Sequence, residues 1–397
     1  MQRAYRLHDR AEPAARRRRL HRHLGLNAMV AVHSPLTIQS VDVRAVMVLL
    51  KRTPVLRHIG LPPRWPIILI DLHMQEGVVG RSYLQPYLPN GVRYVAAVIH
   101  DLVERFKGKP ANPVDLFRQM RQSLSPLGLE GVTLAAVSGL DMAIWDALAK
   151  AAQMPLARYL GGSVGPVKAY NSGGLWLIDP ADVARETEEL IAEGQFSAVK
   201  LRLGRDSLAQ DVASIAAARR AGGASLQLMA DFSQVFTMDE AIARCRTLDD
   251  EGLYWIEEPI AYDNFSGLAQ LRRRLATPIQ VGENFWGPRD LQIALELDAT
   301  DFVMPDLMRI GGVTGWMRAA GIAAAKGVPV STHLYPEFSA HLMRVTETAH
   351  WLEWCDWADA ILAEPFEVRN GEIHIPDRLG SGIEWNEDAV AKYAFRI

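Results

Sequence analysis

Asp231 in LMADFSQ, Glu257 in YWIEEP and Glu283 in QVGEN each end a short apolar run, and they recur at intervals of 26 residues. That interval is the length of one strand, one helix and two loops, so the three acids are expected at the same end of three successive βα units. In a (β/α)8 barrel that end carries the chemistry. Three hard oxygen ligands converging there suit Mg²⁺, which takes octahedral oxygen coordination and keeps water or substrate in its remaining positions. A single strand-end acid is as readily a helix cap. Three in equal register point instead to a metal.

Other reactive residues fall into the same pattern. Lys200 and Arg202 in AVKLRLG are two apart on a strand, so both side chains project to one side, expected to be the barrel mouth. Asp306 ends DFVMPD and His333 ends VPVSTH one unit later. A histidine beside an aspartate is held in one tautomer as a proton acceptor. Glu353 in HWLEW ends the next strand and, protonated, would donate a hydrogen bond to a substrate oxygen. Ser172 and Ser233, just past two strand ends, join the rim as substrate contacts. A metal on one side and bases on opposite faces suit removal of a weakly acidic proton from carbon next to a carboxylate, with the metal taking up charge on the carboxylate oxygens.

The elements that must position these groups read as two kinds of texture. Leu36 to Leu50 and Trp65 to Tyr83 read as strands of an antiparallel sheet, separated by the Pro- and Arg-rich loop KRTPVLRHIGLPPRW. Helical periodicity follows in Val92 to Phe106, Pro113 to Ser123 and Val132 to Ala152, an α+β unit. From Val167 the chain alternates strand and helix, with strands at VKAYNS, SAVKLRL, LQLMADF, LYWIEEP, PIQVGEN, DFVMPD, VPVSTHL and AHWLEW. Units of this kind with right-handed crossovers close a parallel barrel. An open doubly wound sheet is disfavoured, because its ligands gather at one switch point whereas polar residues end nearly every strand here.

The chain of 397 residues is long enough for two domains, and its net charge of -3 gives no basis for nucleic-acid binding. Two cysteines, Cys245 and Cys355, form no disulfide framework, so a reducing cytoplasm is expected. No apolar stretch is expected to span a membrane. The first 28 residues carry eight arginines and lack an apolar centre, and are read as a solvated extension, or as a start codon placed too early with Met29 as the true start. The expected organisation is an extension over 1–35, an α+β capping domain over 36–160, a barrel over 161–365, and a C-terminal segment, 366–397, returning to the capping domain.

GLDMAIWDALAK, AVKLRLG, WIEEP, GENFWGP, MPDLMRIGGVTGW, STHLYPEFSAHL and TAHWLEW together resemble the enolase superfamily, and within it the mandelate racemase subgroup, from about residue 39 to the end. The resemblance implies a TIM-like barrel with an α+β cap, Mg²⁺ on Asp231, Glu257 and Glu283, and a homo-oligomer. It also implies Lys200 near the substrate carboxylate, His333 with Asp306 as base, and Glu353 as electrophilic acid. The GGVTG motif at Gly311 to Gly315 belongs to the resemblance with no phosphate role.

Two departures bear on the reaction. The racemase pattern is Lys-x-Lys, and Arg202 stands at the second lysine; a guanidinium is a poor base near neutrality but a good clamp for an oxyanion. Gln85 stands where the resemblance places an apolar grip, with Tyr87 kept, and the loop between the first strands carries Arg52, Arg57 and His58 toward the mouth. The expected activity is therefore dehydration of a polyhydroxy acid through an enolate. The alternatives are racemisation of an α-hydroxy acid and a non-catalytic binding protein.

Overall fold

The computed structural model describes residues 36–57 and 64–396, so the basic extension and His58 lie outside the described residues. Three antiparallel strands, β1 (Ile38–Leu49), β2 (Arg64–Met74) and β3 (Val79–Leu84), form the first sheet in the order β1-β2-β3. Helices α1 (Pro89–Phe106), α2 (Pro113–Leu124) and α3 (Val132–Ala151) follow. α1 and α2 begin with proline in the first turn, where no amide donor is lost.

α3 corrects one expectation. Its 20 residues are long and apolar enough to cross a membrane by length and composition, with a hydropathy of 1.4. Yet 83% of that window is buried within the protein, and it contains Asp141 and Asp146, both fully buried and both satisfied by protein partners. It is a core helix. A Cβ on Gly80 would come within 2.0 Å of the Ala143 carbonyl, so glycine there lets β3 lie directly against α3.

After the short α4 (Leu156–Tyr159) the barrel strands are β4 (Pro166–Asn171), β5 (Ala198–Arg202), β6 (Gln227–Asp231), β7 (Trp255–Glu257), β8 (Ile279–Val281) and β9 (Phe302–Val303). Between them run α5 (Pro180–Ala192), α6 (Leu208–Gly222), α7 (Met238–Leu248), α8 (Phe265–Arg272) and α9 (Pro288–Glu296). α10 (Leu307–Ile310), α11 (Gly312–Lys326) and α12 (Pro336–Met343) follow β9, and β10 (Leu352–Trp354) pairs in parallel with β4. The position expected for VPVSTHL is filled by isolated parallel bridges, Val303 to Val330, Asp306 to His333 and Val330 to Ala349, which link β9 toward β10 and close the ring.

The last segment divides its contacts. The hairpin of β11 (Glu367–Arg369) and β12 (Glu372–His374) pairs with β4 of the barrel, not with the first sheet. Only the remainder returns to that sheet as expected, where Trp385 donates to Asp71 at 2.8 Å and α13 (Glu387–Tyr393) lies beside β1. The GGVTG stretch opens α11 against α3: Thr314 donates to Asp141 through its amide (2.8 Å) and hydroxyl (2.6 Å). A Cβ on Gly315 would lie 2.0 Å from the Ile310 carbonyl oxygen. These glycines serve close packing.

Candidate active site

Parallel register sets the first row of the site. Arg202 is the direct partner of Asp231 across β5 and β6, and Asp231 of Glu257 across β6 and β7. Glu283 follows β8 by two residues. The turns after β6 and β7 are bent into left-handed backbone at Ser233 (φ 46°), Gln234 (φ 63°) and Glu258 (φ 38°), and the turn after the His333 bridge at Leu334 (φ 52°) and Tyr335 (φ 53°). Side chains other than glycine rarely sit there, and such strain gathers at functional rims that the surrounding fold holds in place.

Lys200 is buried at the centre of the row. Its Nζ lies 2.8 Å from Glu257 Oε1, 2.7 Å from Glu353 Oε1 and 3.6 Å from Asp231 Oδ2. Burial works to discharge it, but Glu257 and Glu353 hold its pKa well above the ordinary lysine value. Burial also raises the Glu257 carboxyl above the usual range against the pull of Lys200, with Asp231 and Glu283 adding to the rise. Glu353 goes the other way: despite burial, Lys200 and His333 hold it well below the carboxylate range. Its other oxygen accepts from the Leu334 amide at 2.9 Å. Glu353 thus reaches the expected place, with one oxygen on Lys200 and the other on the Leu334 amide.

On the opposite side, His333 Nδ1 lies 2.7 Å from Asp306 Oδ2, while the other Asp306 oxygen caps α10 through the amides of Met308 (2.7 Å) and Arg309 (3.1 Å). One carboxylate therefore orients the imidazole and is itself fixed by a helix start. His333 Nε2 faces inward, 3.3 Å from Glu283 Oε2 and 3.9 Å from Glu353 Oε2. Burial lowers its pKa, but Glu283, Glu353 and Asp306 together raise it to about 9.

Arg202 is immobilised. Nη1 donates to the carbonyls of Ser172 and Gly174, both at 2.9 Å, and Nη2 to Ser172 Oγ at 2.8 Å. Its guanidinium carbon lies 3.9 Å from the centre of the Trp176 ring, and its Nε stands 3.5 Å from Asp231. Ser172 therefore holds Arg202, and Ser233 holds Asp231, donating to Oδ1 through its amide (2.8 Å) and hydroxyl (3.0 Å).

The donor set suits a hard divalent cation. Six carboxyl groups, those of Asp231, Glu257, Glu258, Glu283, Asp306 and Glu353, share this mouth with Lys200, Arg202, Arg309 and His333. The surplus of buried negative charge is what a cation offsets. Among the described residues, no three such side chains converge tightly enough to hold an ion in the rotamers adopted here. Lys200 draws Glu257, and His333 lies against Glu283. Asp231 and Glu257 are register partners and Glu283 lies two residues past β8, so these are the three carboxylates that would hold such an ion.

Several participants escaped the sequence reading. Glu258 is buried, accepts from Asn284 at 2.7 Å and leaves Oε1 without a partner; the doubled acid of WIEEP was its only signal. Arg309 donates to the Glu283 carbonyl at 2.9 Å and also to Asn284, and sits 4.9 Å over Tyr87. An aromatic wall joins the first sheet to the barrel, running from Tyr87 to Trp65 (5.2 Å), Trp357 (4.5 Å) and Trp176 (6.2 Å). Gln85 belongs to that wall, accepting from Trp65 at 2.7 Å, and the buried Tyr87 hydroxyl has no partner. Of the loop cations, Arg52 turns outward to Glu193 (2.9 Å) and Glu189 (3.2 Å) on the α5 side. Arg57 turns toward the barrel rim.

Comparison with known proteins decides the family. Residues 40–161 match the mandelate racemase / muconate lactonizing enzyme N-terminal domain, and residues 182–389 match the enolase C-terminal domain-like model. The chain belongs to the mandelate racemase and muconate lactonizing enzyme family. An enolase from alpha proteobacterium bal199, solved with bound magnesium, superposes on this family member with a TM-score of 0.89 at 52% identity, covering 91% of this chain and all of the other. An enolase from Bradyrhizobium complexed with magnesium and mandelic acid gives a TM-score of 0.87 at 42% identity, covering 92% and 100%. L-talarate/galactarate dehydratase of Salmonella typhimurium is 30% identical over 81% of each chain.

Proposed function

We propose that this enzyme removes the proton α to the carboxylate of a polyhydroxy acid and expels the β-hydroxyl as water. The observation that carries the reading is the asymmetry of the two faces. His333 Nε2 points inward from an imidazole fixed by Asp306, whereas Arg202, at the end of β5, is tied to two carbonyls and a serine and is a poor base. Dehydration needs one base, while racemisation needs two. The similarity to L-talarate/galactarate dehydratase supports the same choice.

Magnesium held by Asp231, Glu257 and Glu283 would supply positive charge beside the substrate carboxylate. His333 Nε2 takes the proton from the α-carbon. Lys200 and Arg202 offer donors to the substrate oxygens on which negative charge grows. Loss of hydroxide from the β-carbon, with a proton returned from the imidazolium, leaves an enol that rearranges to the 2-keto acid. Burial of the Lys200, Glu257 and Glu353 cluster strengthens each of these electrostatic contributions relative to water.

A second reading, racemisation of an α-hydroxy acid with an apolar substituent, draws on the tryptophan wall and on the Bradyrhizobium relative that binds mandelic acid. One experiment separates the two. Incubation of a panel of acid sugars with Mg²⁺ is expected to yield a 2-keto product, and polarimetry on each mandelate enantiomer is expected to show no change. Rapid loss of optical rotation with mandelate and no keto product from any sugar acid overturns the dehydratase reading.

A further inference from the structure

An aromatic cluster packs inside the barrel, and one of its rings reaches a carboxylate of the acid row. Trp255 and Glu257 are two apart on β7, so both side chains project to the same side of the strand. Trp255 Nε1 donates to Glu257 Oε2 at 3.0 Å, and both residues are fully buried. Ring contacts fix the indole: Tyr170 and Tyr254 each meet it edge-on with centroids 5.4 Å away. The other oxygen, Oε1, lies 2.8 Å from Lys200 Nζ. These two donors differ in their consequence for a metal. Lys200 is shared with Glu353 and Asp231, and its ammonium repels an incoming cation. An indole donates one hydrogen bond, accepts none and carries no charge, so it anchors the carboxylate without opposing the ion. The other two acids of the row also have neutral donors beside them, Ser233 on Asp231 at 3.0 Å and Asn284 on Glu283 at 3.2 Å. Ser233 is exposed and Asn284 half-buried, whereas Trp255 is built into the core.

We infer that Trp255 is a positioning residue of the metal site, anchoring Glu257 in the row of acids through a neutral donor and so raising the affinity for Mg²⁺. The inference rests on Glu257 being a metal ligand and is independent of whether the reaction is dehydration or racemisation. Without the indole N–H the carboxylate regains rotamer freedom that metal binding must remove, and Lys200, a competitor of the cation, is left as its partner. The same cluster supplies its own control. Trp351 is buried to the same degree, yet among the described residues its Nε1 has no hydrogen-bond partner. Replacing either tryptophan by phenylalanine removes similar bulk from the core, but only one replacement removes a donor from a metal ligand.

The test is calorimetric titration of Mg²⁺ into chelator-treated wild type, Trp255→Phe, Trp351→Phe and Glu257→Ala, with the Mg²⁺-induced rise in melting temperature as a parallel readout. The expected result is a Kd roughly 10- to 100-fold weaker in Trp255→Phe, the usual range for losing a group that orients a metal ligand, and a Kd close to wild type in Trp351→Phe. Trp255→Met, which fills the space with a flexible apolar chain and no N–H donor, is the second variant and is expected to lose affinity in the same range. Wild-type affinity in Trp255→Phe or Trp255→Met, or an equal loss in Trp351→Phe, overturns the inference. Wild-type affinity in Glu257→Ala removes Glu257 from the metal site, and the inference falls with that reading. The expected pattern of Mg²⁺ affinities, found with no 2-keto product from any sugar acid, supports the inference and defeats only the dehydration reading.

Discussion

Replacing Glu283 by Gln removes the carboxylate nearest the catalytic face of His333, and its effect on the imidazole can be worked from the structure. The two groups are 3.3 Å apart, which at an effective dielectric of ~20 corresponds to about 5 kcal/mol. That is a ceiling, since the Glu283 side chain is 21% exposed to screening water; a third of it, about 1.5 kcal/mol, is worth about one pKa unit. His333, raised to about 9 by its acidic neighbours in the metal-free protein, is therefore expected to titrate about one unit lower in Glu283→Gln. Mg²⁺ engaging Glu283 offsets the same charge, so adding it to wild type is expected to move His333 in the same direction and to do little in the variant. The assay is NMR titration of the histidine ring protons in metal-free protein, with His333→Asn assigning the signal among eleven histidines. Stability provides a second readout. A pKa raised in the folded state contributes stability that is fully present below the unfolded value near 6.5 and is lost as pH rises through 9, roughly 3 kcal/mol in all. An imidazole that titrates below 7 in the metal-free protein, or one indifferent to Glu283→Gln, refutes this electrostatic account.

Glu257→Ala is expected to abolish turnover and the thermal stabilisation that wild type gains from Mg²⁺; a melting temperature that still rises with Mg²⁺ as in wild type would remove Glu257 from the metal site. Arg202→Lys forfeits the bonds to Ser172 and Gly174, which is expected to cost about 1–3 kcal/mol in urea denaturation, while a tunable amine there introduces slow α-proton exchange in D₂O from the second face. Exchange of both enantiomers by wild type would show that a second base is already present. Gly315→Ala, whose Cβ would meet the Ile310 carbonyl at 2.0 Å, is expected to lower stability by about 1–3 kcal/mol without changing the dependence on Mg²⁺; an unchanged denaturation midpoint counts against the packing role of GGVTG.

The sequence by itself determined the barrel and the row of acids. Strand periodicity and the interval between Asp231, Glu257 and Glu283 are local properties, and parallel pairing turns an interval into a register, as the partners Arg202, Asp231 and Glu257 show. The pairing of Asp306 with His333 was legible for the same reason, each ending a run one unit from the next. Tertiary structure decided what no interval encodes. The partner of Glu353 is Lys200, which approaches to 2.7 Å from β5, a contact between residues 153 positions apart in sequence. Whether Arg52 or Arg57 faces the rim depends on which acids of the α5 side stand beside the loop. The tryptophan wall gathers Trp65, Trp176 and Trp357 from three distant segments, and α3 is a core helix rather than a membrane span only because a sheet and α11 cover it. Side-chain charge and orientation follow from neighbours brought close by folding, and the chain order carries that information only through the fold.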